Sequence, residues 1–599
     1  ASTTITSSPA SFSPSNTLVR NNALLKNQLP AATFGTMAVN SGGTYQHDCN
    51  GGIIPVATWG ATSLLHVTGT AGTAPTIGVA SPAQSPSANI VFGNITWNSP
   101  SQSVKVDFPF ETEQLIGTFT MTNTGTGSVG ITGAIIGVDI VQTGGSFDIY
   151  GGAGAAQIQL YGYYNMSGGY ILNTSNNGYL IFTGSSGSSN VDLIDANVTD
   201  DLLLWLMTDN PVNSKSFTLV NNLTVKDFDL YANRPTFNLN GKTITIKRAY
   251  SHTAANGIIT ANATNSTIKM AGTAAQGFDV GTYTGSIVDN FEAANAAGVT
   301  LNAALNTRNA TISSGTLNGN AIALAVSETW TNNGTYTHGN NTVTFNGAND
   351  DSITGSSSTS FYNLTMSKSL SSNKVTLSRN TTVTNNVTMT TGDILLNNYN
   401  LLLSTTGSVV NETTDNRIYE TGTNDGYIEA LNRSLSATST LYSNIAGIGI
   451  SITTGSGNTP GVTTIHRGHK AQNGTGGISI LRYYDITPTT NTGLSATFRF
   501  SYFDAELNQA EADFYYYRST DLGVTWGGTY PPTTETYTSN WIELAAIDAF
   551  SRWTVSNHSS NPLPIALLSF TAKCDNNKVN LNWITVSETN NDYFTIERS

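Results

Sequence analysis

Apolar and polar residues alternate in short runs along the first two thirds of the chain, and turns rich in Asn and Gly separate these runs. The pattern is clearest in "TFNLNGKTITIKRA" (236–249), and it returns in "GTLNGNAIALAV" (315–326) and "GDILLNNYNLLLS" (392–404). Alternation with a period of two places successive side chains on opposite faces of a β-strand. These segments therefore predict short strands joined by tight turns.

The three segments recur at a nearly constant spacing. Aligned on Ile244, Ile322 and Leu401, they lie 78 (322 − 244) and 79 (401 − 322) residues apart. A string of separate sandwiches would also show short strands, but it would not predict this regularity. A β-solenoid does predict it, because each coil buries its alternate side chains against the coils above and below.

We therefore predict a long right-handed parallel β-helix over residues 1–415, with about 20 residues per coil if one period holds four coils. The turns should contain Asn, which tolerates left-handed backbone. The inward positions of the first repeat would be Phe237, Leu239, Ile244 and Ile246.

The pattern changes near Arg417, where the predicted strands become longer and more aromatic. "LSATFRFSY" (494–502) alternates along its whole length, which is typical of an antiparallel sandwich strand. Residues 416–560 are therefore predicted to form a β-sandwich, and the prolines of "NPLPIALLSF" mark its end. Residues 561–599 hold three further predicted strands, too few for the roughly seven of a fibronectin-III or immunoglobulin-like module, so this module is predicted to be incomplete.

Composition supports an all-β fold and excludes some partners. Charged residues are 11% of the 599, whereas Thr, Ser, Asn and 57 Gly dominate, which favours strands and turns over helices. The 25 Lys and Arg against 38 Asp and Glu give a formal charge of −13, so nucleic acid and anionic membranes are not expected partners. No apolar run approaches the roughly 18 to 20 residues that cross a bilayer.

The two cysteines, Cys49 and Cys574, lie 525 positions apart (574 − 49). This spacing gives neither a disulfide framework nor a zinc cluster. Three arrangements remain open: unpaired thiols, a bond within the chain, and a cross-link between Cys574 of one subunit and Cys49 of the next.

The sequence offers little support for catalysis. Parallel β-helices include polysaccharide lyases and hydrolases, which need clustered carboxylates beside a basic residue. The acidic pairs Asp200/Asp201, Asp227/Asp229 and Asp350/Asp351 lack the Gly-His-Gly and Arg-x-Lys signatures of polygalacturonase-like hydrolases, and "THGN" around His338 reads as a turn. We therefore predict that the protein is not an enzyme and has no cofactor.

Binding sites of other kinds stay open. Asn349, Asp350 and Asp351 offer oxygen ligands for a structural calcium ion at a coil edge, with solvated carboxylates as the alternative. "HRGH" (466–469) has two imidazoles but no evident third metal ligand. A set of five aromatic residues, the aromatic group, forms either a sugar-stacking platform or part of a sandwich core. Its members are Tyr515, Tyr516, Tyr517, Trp526 and Trp541.

Several longer segments resemble large secreted surface proteins of Bacteroidota that are exported by type IX secretion. They are "SGGTYQHDCNGGIIPVATW" (41–59), "FGNITWNSPSQ" (92–102), "RYYDITP" (482–488), "YRSTDLGVTW" (517–526), "IDAFSRWTV" (547–555) and "PLPIALLSFTAKCDNNKVNLNWITVSETNNDYFTIERS" (562–599). The resemblance implies an extracellular, cell-surface location and an adhesin-like role. It also implies a fibronectin-like module followed by a separate sorting domain, which this sequence lacks. Since O-glycosylation in this group favours Asp, then Ser or Thr, then an aliphatic residue, "DSI" predicts a glycan on Ser352.

The incomplete module leads to a hypothesis about function. Its strands would leave one set of apolar side chains half covered, namely Leu568, Phe570, Leu581, Trp583 and Phe594. A strand from another subunit would relieve this exposure, and the polar, β-prone segment 1–19 could supply it. The chain is therefore predicted to be a subunit of a self-assembling fibre joined through its termini, that is, a homo-polymer. A monomeric adhesin stalk that binds glycans or proteins remains open, as does a polysaccharide-active enzyme.

Overall fold

The computed structural model describes most of the chain. The described residues are 2–5, 14–77, 91–108, 114–115, 117–131, 134–136, 139–149, 157–174, 178–199, 201–208, 215–231, 233, 235–251, 258–260, 264–279, 287–421, 424–474, 477–559, 567–575 and 578–585. The chain divides into two compact units, Ala1–Leu317 and Asn318–Ser599.

The described residues form an all-β structure that contains a parallel β-solenoid of about 15 turns, so the predicted parallel β-helix is confirmed. The predicted inward positions are also confirmed. Phe237, Leu239, Ile244 and Ile246 are all buried, because the alternating strands turn every second side chain into the coil. Each coil thus buries its apolar residues against its neighbours.

The coil length follows from the register of the parallel pairs. Ile244 pairs with Ile268, 24 residues further on (268 − 244), whereas Leu324 pairs with Val343 after 19 residues (343 − 324). These values bracket the expected 20 or so. The coil corners use left-handed residues as predicted: Asn240 has φ 51° and Asn397 has φ 52°, and Asn accepts this conformation at a lower cost than most residues.

The first unit contains two long ladders of strands. The first ladder runs through Ser2–Ile5, Leu24–Asn27, Thr44–His47, Leu64–Val67, Asn94–Asn98, Thr118–Asn123, Asp139–Asp148, Tyr164–Leu172, Gly187–Asp192, Lys215–Leu219, Thr236–Asn238 and Ile258–Thr260, with Lys105–Phe108 and Ser128–Ile131 beside it. The second contains Val91–Phe92, Gln114–Leu115, Ala134–Ile136, Gln157–Leu160, Tyr179–Phe182, Leu203–Leu206, Leu223–Leu230, Thr243–Ser251, Thr267–Met270, Gln276–Phe278, Val288–Leu301 and Leu305–Asn318. Shorter ladders join Asn16–Val19, Thr36–Val39 and Thr58–Trp59, and Ile53–Ile54 with Thr76–Ile77. A 3₁₀ helix covers Asp195–Asn197.

The second unit begins with solenoid coils whose strands stack in three ladders. The first ladder holds Leu324–Val326, Thr342–Phe345, Asn363–Ser367, Asn386–Thr391 and Ser408–Val410. The second holds Thr329–Asn332, Asp351–Thr354, Lys374–Leu377, Asp393–Leu395 and Ile418–Tyr419. The third holds Thr359–Phe361, Thr381–Val383, Leu401–Leu403 and Tyr427–Leu435, and Thr335–Thr337 is a further strand.

The last coil continues directly into an antiparallel region. Tyr427–Leu435 pairs in parallel with Leu401–Leu403 on one side and antiparallel with Gly461–Gly468 on the other. The sheet then continues through Tyr483–Pro488, Arg552–Asn557, Phe514–Ser519 and Gly527–Tyr530. A second antiparallel sheet holds Leu441–Tyr442, Ile450–Thr453, Ala496–Ser501, Trp541–Ile547 and Thr534–Thr536. Three 3₁₀ helices, Ile445–Gly447, Asp504–Glu506 and Tyr537–Ser539, connect these strands.

The two antiparallel sheets contact each other through aromatic side chains. The hydroxyl of Tyr516, on the first sheet, donates to the carbonyl of Ile542 at 2.6 Å on the second and lies 3.1 Å from the carbonyl oxygen of Phe498. The Phe498 ring lies 6.2 Å from those of Tyr484 and Trp553. Phe498 therefore lies at the centre of an aromatic core.

A separate hairpin is formed by Leu567–Asp575 and Lys578–Thr585. Within the described part of the chain, no helix is both long and apolar enough to cross a membrane.

Candidate functional site

The hairpin has one apolar face and one face that is polar apart from Ile584. Its register places Phe570 opposite Trp583 and Ala572 opposite Leu581. Because side chains alternate along a strand, all four lie on one face. The residues between them, Thr571 opposite Asn582 and Lys573 opposite Asn580, lie on the other.

The apolar face of the hairpin is open to solvent. Phe570 is 57% exposed and Val579 is 58% exposed, while Leu581 and Trp583 are half-buried. Among the described residues the two strands form a sheet of their own, without a third strand. The structure thus brings together Phe570, Leu581 and Trp583 of the predicted interface set. Leu568 belongs to the first strand, but its side chain lies outside the described residues, as does Phe594 altogether.

The first coils of the solenoid carry an open groove. It has a volume of about 580 Å³, and Leu18, Leu24 and Phe34 are among the residues that line it. Leu18 is 53% exposed. In the described part of the chain, Ser2–Ile5 pairs only with Leu24–Asn27, so it presents a strand edge that can accept hydrogen bonds from another strand.

Both cysteines are free thiols in the structure. Cys574 is exposed on the hairpin, whereas Cys49 is buried, with its Sγ 3.4 Å from His47 Nε2. Burial raises the pKa of the Cys49 thiol to about 11, so it is almost entirely un-ionised at neutral pH and reacts slowly. The cross-link between subunits stays a prediction.

Ser352 lies within the strand Asp351–Thr354 and is partly exposed on the outside of the coil. Its in-register neighbours on the adjacent coils are Thr329 and Thr376. O-glycosylation of Ser352 stays a prediction.

The carboxylates proposed for calcium each contact a lysine. Asp350 accepts from Lys374 Nζ at 2.5 Å, and the pKa of Asp350 is lowered, chiefly by this hydrogen bond. Asp351 is buried and paired with Lys368. Since an ammonium group beside a carboxylate repels a divalent cation, these pairs disfavour calcium at this turn.

The candidate catalytic carboxylates are paired in the same way. Asp201 lies 2.8 Å from Lys226 Nζ, and Asp227 accepts from Arg248 Nε at 2.8 Å. Asp229 is buried, and Asp200 lies outside the described residues. Around His338 the chain forms a turn, as predicted, in which the amide of Asn340 donates to His338 Nδ1 at 3.1 Å.

The two histidines of "HRGH" do not face each other. His466 Nε2 lies 3.0 Å from Glu429 Oε2 at a half-buried position, whereas His469 is buried. Burial lowers the pKa of His469 well below its usual value of 6.5, and the nearby Arg467 and Arg482 lower it further. Within the described residues no group of three or more His, Cys, Asp or Glu is placed to hold a metal ion.

Most of the aromatic group fills the core of the antiparallel region. Tyr516 is buried, and Tyr517 and Trp526 pack together in a buried cluster with Tyr515 beside them. The ring of Trp541 is covered by the guanidinium of Arg499 at 3.9 Å. This arrangement favours the core interpretation over a sugar platform.

Sequence reasoning missed a buried ionic network where the last coil meets the antiparallel region. Arg467 donates to both carboxylate oxygens of Glu412 at 2.6 Å, and Arg482 donates to Glu506 at 2.8 and 3.1 Å. Both arginines are almost fully buried, and they line a cavity of about 350 Å³. The available signal was the position of Arg467 on the same face of its strand as the buried Thr463 and Ile465, but its partner Glu412 is distant in sequence.

In a comparison with known proteins, no family model, no curated protein and no solved structure matches the chain.

Proposed function

We propose that this chain is an extracellular structural and adhesive protein of the cell surface, and that it assembles into a fibre through β-strand complementation between copies. The observation that carries the proposal is the open apolar face of the hairpin, with Phe570 57% and Val579 58% exposed. A two-stranded hairpin is marginally stable alone. A second copy that packs apolar residues on this face removes the exposed apolar area, and a strand from that copy pairs with an open edge of the hairpin.

The first coils of a second copy are the partner surface in this proposal. They combine an apolar groove lined by Leu18, Leu24 and Phe34 with the open edge of Ser2–Ile5. Because the two surfaces differ, each copy can bind one neighbour through its hairpin and another through its first coils. Such head-to-tail contacts extend into a filament unless they close into a ring.

The finer architecture belongs to the same proposal. We take the solenoid to be right-handed, residues 416–560 to be a β-sandwich, and residues 561–599 to be part of a fibronectin-III-like module. The aromatic contacts between the two antiparallel sheets support the sandwich. Export by type IX secretion in a Bacteroidota bacterium rests on the sequence resemblance alone.

Two other functions compete with the fibre. A monomeric stalk that binds glycans or proteins would use the same solenoid without self-assembly. A polysaccharide-active enzyme is disfavoured by the pairing of Asp201, Asp227, Asp350 and Asp351 with lysine or arginine, since such carboxylates are not available as a general acid and base. We therefore propose no catalytic role, cofactor or nucleic-acid partner.

Negative-stain electron microscopy combined with sedimentation velocity over a range of protein concentrations tests the proposal. The wild-type chain is expected to form filaments, and Phe570→Ser is expected to shift the population to single molecules. Ile584→Ser is the matched control, because Ile584 is equally exposed at 57% but lies opposite Ser569 on the other face of the hairpin.

Wild-type protein that stays monomeric at every concentration would overturn the fibre in favour of the solitary stalk. Filaments that persist in the Phe570 variant would show that assembly uses another surface.

A further inference from the structure

A lysine and an aspartate lie in contact inside the solenoid of the second unit. Lys368 follows the strand Asn363–Ser367, and Asp351 begins the strand Asp351–Thr354. Lys368 Nζ donates to Asp351 Oδ2, and both side chains are 0% exposed. The amine nitrogen of Lys368 and the carboxyl group of Asp351 are thus in contact and shielded from water.

As an ion pair, Lys368 and Asp351 have few hydrogen-bond partners for their charged atoms. The other carboxylate oxygen, Asp351 Oδ1, is buried and has no hydrogen-bond partner. The ammonium group has three donors, and Asp351 is its one acceptor among the described residues. Two buried charges with so few partners are costly, and a neutral linkage would remove both.

Glycines on the neighbouring coils make room for the lysine. A Cβ atom at Gly392 would lie 2.6 Å from Lys368 Cγ, and one at Gly347 would lie 1.7 Å from the backbone oxygen of Ser327 and 3.1 Å from Lys368 Nζ. Gly392 also has φ +90°, which other residues rarely adopt. The lysine side chain is therefore confined between two coils and directed at Asp351.

Burial also favours the protonated, neutral form of the Asp351 carboxyl group. Burial raises its pKa to about 6, Lys368 opposes this shift, and Glu328 adds to it. Glu328 lies on the preceding coil, just before Thr329, which pairs with Ser352. The first step of such a condensation is transfer of one proton from Lys368 Nζ to the Asp351 carboxylate in contact with it, which gives a neutral amine beside a neutral carboxylic acid.

We propose that Lys368 and Asp351 form an intramolecular amide cross-link within the solenoid. The lone pair of Lys368 Nζ attacks Asp351 Cγ, and the C–O bond to the protonated oxygen breaks. That oxygen leaves as water with one proton from the carboxyl group and one from the amine. The step needs no oxidant or reductant, and both reactants and product are neutral overall.

The adjacent pair, Asp350 with Lys374, provides an internal comparison. Its nitrogen and oxygen are also in contact, at 2.5 Å, but its side chains are 50% and 32% exposed. Water solvates both charges there, so the carboxylate stays ionised and the pair remains a salt bridge.

Intact-mass measurement of the full chain in denaturant is the first test. The expected mass is lower than that of the sequence by one water molecule. The Lys368→Met variant should have the full mass calculated from its sequence. The control variant Lys374→Met should still be lighter than its calculated mass by one water molecule.

Chymotryptic digestion of the denatured chain locates the bond, because Phe361 and Tyr362 lie between the two residues. The fragments that contain Asp351 and Lys368 should remain joined after this cut. A full-length mass without loss of water would overturn the proposal. Loss of water with fragments that separate after the cut would also overturn it, because a succinimide formed at an aspartate loses the same mass without joining the two fragments.

Discussion

The solenoid coils of the second unit and the antiparallel region that follows them build their cores in different ways. In the coils, a buried residue meets its counterpart one coil away, as Val343 meets Leu364 and Leu364 meets Val387. In the antiparallel region, the core is centred on Phe498 and contains Arg482 paired with Glu506. One core repeats a single pattern, and the other assembles unlike residues from distant positions.

This difference shows where the stability of each region originates. A coil is stabilised by its two neighbours, so its contribution is spread evenly along the ladder. The antiparallel region instead has a buried ion pair where it meets the last coil, between Arg467 and Glu412. A single substitution should therefore have a larger effect at the joint than at a corner of the solenoid.

The largest effect is expected from Arg467→Met. The change leaves the Glu412 carboxylate, whose side chain is 4% exposed, buried without its partner, and such a loss typically costs about 3–5 kcal/mol. Chemical denaturation monitored by tryptophan fluorescence measures the change in the free energy of unfolding. In the double variant Arg467→Met/Glu412→Leu most of the stability should return, because no buried charge is left alone. A double variant as unstable as the single one would contradict the ion-pair explanation.

A smaller effect is expected from pH, through His469. Its pKa in the folded protein lies well below the 6.5 of the exposed side chain, so below pH 6.5 the unfolded chain binds a proton that the folded chain does not. Stability therefore falls as the pH falls from 6.5 towards the folded pKa, by about 1.4 kcal/mol per pH unit for one proton. Denaturation at several pH values compares the wild type with His469→Gln, in which this part of the slope should disappear. Identical slopes in the two proteins would show that other groups carry the pH dependence.

The smallest effect is expected at a coil corner. Asn240 has φ 51°, and Ala in this left-handed conformation costs about 1–2 kcal/mol. Asn240→Ala should therefore lower the unfolding free energy slightly, whereas Asn240→Gly should be nearly neutral because glycine has no Cβ. Equal losses in both variants would indicate that the asparagine side chain, rather than the backbone conformation, matters at this corner.

Features that depend on a repeated local pattern could be predicted from the sequence, whereas contacts between distant residues could not. The inward positions Phe237 and Ile244, and the left-handed Asn240, were predictable because each depends on a repeated local pattern. The apolar residues Phe570 and Trp583 were assigned to one surface because alternation alone places them there. The partners of Arg467 and Lys368 were not predicted, since neither pairing has a local pattern in the sequence.

By itself, the sequence determined that the chain is all-β and that its first part winds as a parallel solenoid, because a period of two within strands and a near-constant repeat spacing permit few other ways to bury the apolar residues. Only the tertiary structure decided that the HRGH histidines are separated, that Arg467 meets Glu412, and that Lys368 lies against Asp351. These contacts join residues from different coils or sheets. They depend on how the chain stacks in space, which the alternation of polar and apolar residues does not encode.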